Sequence, residues 1–227
     1  LFRSPHLTAL WWWETAFPLP FPGEAANDPT PRQDAAKQMV DWLLTEWPDF
    51  ESIDPMDAMA VNEEVVLLDR SQADAEKGKQ YTADRLAKKR MDADKAAAIL
   101  ARIHPTTDYA DLKGCDLIIE AVFEKRELKA AVTREAEPML AAGGFFASNT
   151  STLPISGLAT ASARPEKFIG IHFFSPVDKM KLVEIIRGQQ TDDETVARAF
   201  DYVQAIGKIP IVVNDSRGFY TSRTFGT

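Results

Sequence analysis

From Glu64 onward, short unbroken apolar runs alternate with stretches of helical periodicity, and this alternation constrains the fold more than any other feature of the chain. Glu64-Val-Val-Leu-Leu-Asp69 is a continuous apolar run of the kind that a strand buried on both faces requires. Ser71 is placed to cap a polar helix reaching about Lys89, and a second helix is predicted from Asp92 to Arg102. Asp116 to Val122 is the next buried strand. Lys125 to Leu140 reads as a helix with Leu128, Val132, Ala136 and Met139 on one face, and Gly143-Gly144 as its stop. Strands follow at Phe145–Ser148, Phe168–Phe174, Lys181–Ile186 and Ile209–Val213. A short helix, Pro154 to Ala161, lies among them. Thr191-x-x-Glu194 reads as a capping box, with Val196, Phe200, Val203 and Ile206 as the apolar stripe behind it and Gly207 as the cap at its end. Such alternation predicts an α/β fold: a Rossmann-like, mostly parallel sheet with helices on both faces. Ligands of such sheets bind beyond the carboxyl ends of the strands.

The first 60 residues have a different texture. They hold all five tryptophans and eight prolines, from Pro5 to Pro55. Only Asp34 to Thr45 carries a helical period there. Trp11-Trp12-Trp13 is either buried or adhesive apolar surface, or a binding platform. Composition excludes several function classes. A net charge of −8 without a Lys/Arg-rich run lacks the footprint of a nucleic-acid binder. The lone Cys115 makes no internal disulfide, and His6, His104 and His172 are few for a metal site. No apolar run approaches the ~18–20 residues of a membrane span. Leu7 to Trp13 is short and has no small-residue cleavage site after it, which argues against a signal peptide. The expectation is a soluble, cytoplasmic protein, and the non-Met start suggests a fragment or a processed chain.

Three strand ends carry candidate chemistry. Asp69 could take the ribose hydroxyls of a dinucleotide, or simply cap a turn. Ser148-Asn149-Thr150-Ser151-Thr152 could contact a ligand, or form a turn and cap the next helix. His172 and Glu184 each interrupt an apolar strand. If those strands form a hairpin centred near Asp178, the two residues oppose each other with Cβ atoms ~5 Å apart. A carboxylate there orients the imidazole and favours its charged form, as general acid–base catalysis needs. The alternative is a buried structural ion pair.

At these residues the chain resembles a known family. The stretches VVLLD, CDLIIEAVFE, FFASNTSTLPIS, IGIHFFSPVDKMKLVEIIRG and GKIPIVVNDSRGFYTSR look like the 3-hydroxyacyl-CoA dehydrogenase region of the bifunctional fatty-acid-oxidation enzymes. The resemblance runs from Glu64 to Thr227. It implies NAD-dependent oxidation of (S)-3-hydroxyacyl-CoA to the 3-oxoacyl-CoA in fatty-acid β-oxidation. By the same resemblance, His172 falls on the catalytic base, Glu184 on its partner and Ser151 on the serine beside substrate oxygen and nicotinamide. Asp69 falls on the ribose-binding acid, and Val122, Phe123, Glu124 and Lys129 on the segment beside the cofactor. Ser175 and Ser222 stand where the family has asparagines, the latter a substrate contact. Acyl-CoA is the implied substrate. A homodimer or a fused enoyl-CoA hydratase domain is the implied context of a full-length protein.

The departures shape the expected domains. The family's first strand and Gly-rich turn should precede Val65, yet no glycine lies between Gly23 and Gly78. The first strand is therefore expected to be missing. Residues 1–60 are expected to be a Pro/Trp-rich segment outside the match, 61–213 the NAD-binding domain, and 214–227 the start of a helical domain cut short. Two rival readings remain: an inactive fragment or decayed homologue without cofactor binding, and a related NAD-dependent 3-hydroxy-acid dehydrogenase.

Overall fold

The computed structural model describes residues 7–10, 64–175, 177 and 179–225. In chain order the elements are β1 (Leu7–Leu10), β2 (Glu64–Leu68), α1 (Gln72–Lys88), α2 (Ala93–Ala101), β3 (Ile103–Thr106), β4 (Cys115–Glu120) and α3 (Arg126–Ala136). There follow β5 (Leu140–Ser148), α4 (Ile155–Leu158), β6 (Phe168–Phe173), β7 (Leu182–Arg187), α5 (Asp193–Ala205), β8 (Ile209–Asn214) and α6 (Thr221–Phe225). They build one sheet in the order β3-β2-β1-β4-β5-β6-β7-β8. Every neighbouring pair is parallel except β6–β7, so β7 and β8 run against the rest. This is the Rossmann-like α/β fold expected.

One detail of that expectation is corrected. The first strand is present: Leu7–Leu10 lies between β2 and β4, with Leu10 beside Leu67 on one side and Ile119 on the other. It comes not from the segment just before Val65 but from the far N-terminus. Strand order reverses at β1, since the chain goes on to β2 and β3 on one side and to β4 on the other. The crevice beyond the carboxyl end of β1 is therefore the switch point at which such sheets bind ligands. The predicted Asp34–Thr45 helix and the Trp11-Trp12-Trp13 run lie outside the described residues.

Period-two alternation sorts the strand residues onto two faces. Leu117, Ile119, Phe145, Ala147, Ile169, Ile171, Val183 and Ile185 pack against Ala199, Tyr202 and Val203 of α5. Val66, Leu68, Ile118, Phe146, Phe168 and Ile186 face the other way, toward Ile155 and Leu158 of α4 and Ala136 of α3. Gly170 permits this second layer its closeness: a Cβ there would lie 2.7 Å from Ile155 Cδ1 and 2.9 Å from Ile186 Cβ. His172 and Glu184 belong by register to this α4 face.

Local details differ from expectation for identifiable reasons. Ser71 caps α1 as predicted, and Asp92, expected to begin the second helix, caps α2; each accepts from a backbone N–H three residues on. The long helix after Lys125 ends at Ala136, and a 3-10 turn containing Pro138 follows. Gly143-Gly144 does not stop a helix; both glycines lie inside β5, where a Cβ on Gly144 would meet the Cys115 carbonyl oxygen at 2.9 Å. Asp192, not Thr191, caps α5, through the Thr195 N–H. The Thr191 hydroxyl is engaged elsewhere, donating to the Phe168 carbonyl and accepting from Gly188 N–H.

Candidate functional site

The hairpin β6–β7 pairs His172 with Glu184 in the predicted register. His172 Nδ1 lies 2.8 Å from Glu184 Oε2, and both side chains are buried. Burial pushes the Glu184 pKa up, but the bond from His172 and those from the Thr221 amide and hydroxyl outweigh it and hold it below the ordinary value. The carboxylate is thus ionised and accepts only, so Nδ1 is the nitrogen that carries the proton. Nε2 has no hydrogen-bond partner among the described residues. The rings of Phe174 and Phe219 flank the imidazole, with centroids 4.6 and 6.1 Å away.

The loop after β5 is tethered beside this pair. Asn149 Oδ1 accepts from the Phe173 N–H at 2.9 Å. Glu124 Oε1 gathers four donors from the same loop: the Thr150 hydroxyl, the Ser151 and Thr152 amides and the Thr152 hydroxyl. Burial raises the Glu124 pKa, yet these bonds and the nearby Lys129 charge leave it lowered. Ser151 is exposed on this loop. Asp215, after β8, fastens the start of α4 by accepting from Ile155 N and Ser156 N at 2.8 Å each.

Below the loop lies a buried polar cluster. Lys129 Nζ donates to both oxygens of Glu120, at 3.1 and 3.0 Å, and to the Val122 carbonyl at 3.1 Å. It also sits 3.5 Å from Glu124 Oε2. The Ser148 hydroxyl and the Val122 amide donate to Glu120 as well. Burial pushes the Glu120 pKa up against the pull of Lys129. The proposed cofactor-side residue Lys129 is thus turned inward, with its ammonium engaged by protein groups. Phe123, by contrast, is an exposed aromatic at the same strand end.

Asp69 stands at the carboxyl end of β2, one residue past the strand and 8% exposed. Its Oδ1 accepts from Arg70 N–H, and Oδ2 has no hydrogen-bond partner among the described residues. Burial raises its pKa, with the Arg70 amide opposing. A nearly buried carboxylate oxygen left open beside the switch point suits the hydroxyls of an adenosine ribose, so the described residues fit a dinucleotide at that end. Ser175 is exposed just past β6, and Ser222 lies in α6 beside Thr221. Among the described residues, no hydrogen bond or ion pair joins Asp69 to the His172 cluster; it stands at the end of β2, on the other side of β1 from β6 and β7.

Comparison with known proteins decides the lineage. Residues 56–216 match the family described as 3-hydroxyacyl-CoA dehydrogenase, NAD binding domain. The chain belongs to the 3-hydroxyacyl-CoA dehydrogenase family. Among solved structures it is similar to (S)-3-hydroxybutyryl-CoA dehydrogenase from Ralstonia eutropha, at 39% identity and TM-score 0.68, over 77% of this chain and 64% of that one. It is similar to 3-hydroxybutyryl-CoA dehydrogenase from Escherichia coli K12, at 29% identity and TM-score 0.70, over 75% of this chain and 37% of that one. It also resembles the dehydrogenase part of multifunctional enzyme 1 from C. elegans, at 28% identity and TM-score 0.62, over 72% of this chain and 38% of that one. The chain thus spans less than two thirds of the length of these dehydrogenases. Among the described residues, no helix is long and apolar enough to cross a membrane.

Residue-by-residue reading of the sequence missed Glu120, Asp215 and Thr221, and named Ser148 and Asn149 only as members of a polar run, without their partners Glu120 and Phe173. Glu120 was legible in principle, as a carboxylate ending an apolar strand nine positions before Lys129. Thr221 carried no signal, because its partner Glu184 is distant in sequence.

Proposed function

We propose that the chain is the dehydrogenase unit of an NAD-dependent (S)-3-hydroxyacyl-CoA dehydrogenase acting in fatty-acid β-oxidation. The observation that carries this reading is the buried His172–Glu184 pair, with Nδ1 protonated and Nε2 open. A bound NAD would supply the hydride acceptor for carbon 3 of the substrate. His172 Nε2 takes the proton of the 3-hydroxyl as that hydride leaves, so the C–O bond becomes a carbonyl. Glu184 stabilises the imidazolium that results. The Ser151 hydroxyl is available to hold the substrate oxygen, on a loop fixed by Glu124 and Asn149. Asp69 would hold the adenosine ribose, and Val122, Phe123 and Glu124 would line the cofactor, with Lys129 bracing Glu120 and the Val122 carbonyl. Ser175 and Ser222 lie on the substrate side.

The likeness to the dehydrogenase part of a multifunctional enzyme supports a fused domain, such as an enoyl-CoA hydratase; a homodimeric assembly is the alternative context. A reduced, cytoplasmic setting is part of this reading; Cys115 is the sole cysteine of the chain and is buried. The proposed domain division is 61–213 as the nucleotide-binding unit and 214–227 leading toward a helical domain; residues 1–60 contribute β1 to the sheet.

A specific observation favours the inactive-fragment reading as the rival. The residues that follow β1 are Trp11-Trp12-Trp13, with no glycine before Gly23. A pyrophosphate needs close backbone approach at that turn, and bulky side chains obstruct it. The deciding experiment is titration of NADH into the purified chain, followed by NADH oxidation with acetoacetyl-CoA. Saturable binding and turnover that His172→Gln abolishes are expected. Absence of saturable NADH binding would overturn the proposal in favour of the rival.

A further inference from the structure

Four donors converge on the Glu184 carboxylate, and three of them come from one short turn. Oε1 accepts from Tyr220 N–H at 3.1 Å and Thr221 N–H at 2.8 Å. Oε2 accepts from His172 Nδ1–H at 2.8 Å and from the Thr221 hydroxyl at 3.0 Å. Each oxygen therefore takes two donors, and the plane of the carboxylate is fixed. The turn that delivers these groups is bent at a cost. Gly218 and Phe219 are both left-handed, with φ of 74° and 48°. For a bulky aromatic that backbone is strained, and such strain persists only where the surroundings enforce it. Here the Phe219 ring is buried against the imidazole. The left-handed step turns the next two amides back toward β7.

We infer that Thr221 is a positioning residue of the acid–base pair: its hydroxyl and amide lock the Glu184 carboxylate in the orientation that keeps the His172 proton on Nδ1. The inference rests on the catalytic reading of His172 given above. Without the hydroxyl, Oε2 has His172 as its only donor, and that end of the carboxylate is held by the imidazole alone. The bonds from Thr221 also help to hold the Glu184 pKa down against burial, so the carboxylate stays an acceptor. The same tie joins α6 to the β6–β7 hairpin, so the orientation of the base depends on the segment that follows β8.

The test uses the full chain with 15N-labelled histidine, in which the Nδ1–H signal of His172 is assigned by its loss in His172→Gln. Thr221→Val removes the hydroxyl but keeps the shape and the amide. Thr221→Ala is a second hydroxyl-free variant, and Thr221→Ser keeps the hydroxyl. In the two hydroxyl-free variants the Nδ1–H signal should move upfield and its exchange with water should quicken several-fold. Turnover should fall about 2–10-fold, the worth of one hydrogen bond, with KM for the acyl-CoA unchanged. Thr221→Ser should restore both. A wild-type Nδ1–H signal in Thr221→Val, or a Thr221→Ser protein that behaves like Thr221→Val, overturns the inference. If the unsubstituted chain shows no turnover, the proposed function fails on its own, and the imidazole signal still decides the role of Thr221.

Discussion

Replacing Glu184 by glutamine should disable the base without unfolding the protein, and the hydrogen-bond geometry says how. The two backbone amides on Oε1 can only donate, so the carboxamide oxygen must turn toward Tyr220 and Thr221. Its NH2 group then faces His172 Nδ1 and the Thr221 hydroxyl. The hydroxyl can rotate to accept. The imidazole can accept only by moving its proton from Nδ1 to Nε2, which removes the lone pair that receives the substrate proton. Loss of a positioned base is worth ~10²–10⁴ in turnover, and the lost counter-charge acts in the same direction. The stability cost should be small, about 1–2 kcal/mol, since every donor can still find an acceptor or be reoriented. That corresponds to a few degrees in melting temperature. Glu184→Ala, which strands two amides and the imidazole, should cost clearly more. The pH dependence has a definite sign. Glu184 has a lowered folded pKa, so its stabilisation is complete above its unfolded value of ~4.3 and is lost as pH falls through the folded value. Glu184→Gln should lose that part of the acid-limb destabilisation. The assays are turnover, melting temperature and the 15N shifts of the imidazole on the same variants. A Glu184→Gln protein with wild-type turnover, or with its proton still on Nδ1, would refute the reasoning.

Other substitutions probe the remaining groups. Lys129→Met should destabilise by ~3–5 kcal/mol, because it leaves the Glu120 carboxylate buried without its counter-charge; the check is a denaturant melt, and a shift below 1 kcal/mol would count against the pairing. Gly170→Ala should cost ~1–3 kcal/mol by forcing Ile155 and Ile186 apart, read as a lower melting temperature. Asp69→Asn should narrow a preference for NADH over NADPH, measured as the ratio of the two dissociation constants; an unchanged ratio would remove Asp69 from the ribose site. Lys208 is buried and its pKa is lowered to about 8 by desolvation, so the unfolded chain binds more protons from about pH 8 up to its unfolded pKa. Stability of the unsubstituted chain should therefore rise relative to Lys208→Met over that window, and a constant difference would argue that the amine is well solvated.

The His172–Glu184 pair was legible because each partner is a single polar residue in an otherwise apolar strand, and an antiparallel hairpin leaves little choice of register. Its supporting shell was not. Asn149, Thr221 and Asp215 act across contacts between residues distant in sequence, which no local pattern encodes. The adjacent Thr191 and Asp192 are both competent caps, and only the three-dimensional position of the Phe168 carbonyl decides that Thr191 is used elsewhere. The strand β3 escaped notice because His104 and Pro105 break its apolar pattern. It lies at the sheet edge, where a proline costs no ladder bond on its open side.

The strand β1 shows the deeper difficulty and bears on function. The central strand of this fold is usually found just ahead of β2, and here the two are separated by the whole of residues 11–63. A four-residue run, Leu-Thr-Ala-Leu, is too short to announce a strand by itself. Its two-sided pairing identifies it. Placing β1 there also moves the expected pyrophosphate turn from the glycine-free stretch before Val65 to the residues right after Leu10. At that switch point backbone N–H groups must come within hydrogen-bond distance of the phosphates, and in the sequence Trp11, not a glycine, follows Leu10. The His172–Glu184 pair and the Asp69 carboxylate thus keep the geometry that the proposed reaction needs, while the sequence after Leu10 lacks the glycines of the family's turn. Cofactor affinity, rather than the chemistry at His172, is then the property this chain has put at stake. Substituting Trp11 and Trp13 by glycine should tighten NADH binding if the turn is the obstacle, and should leave it unchanged if the limit lies elsewhere.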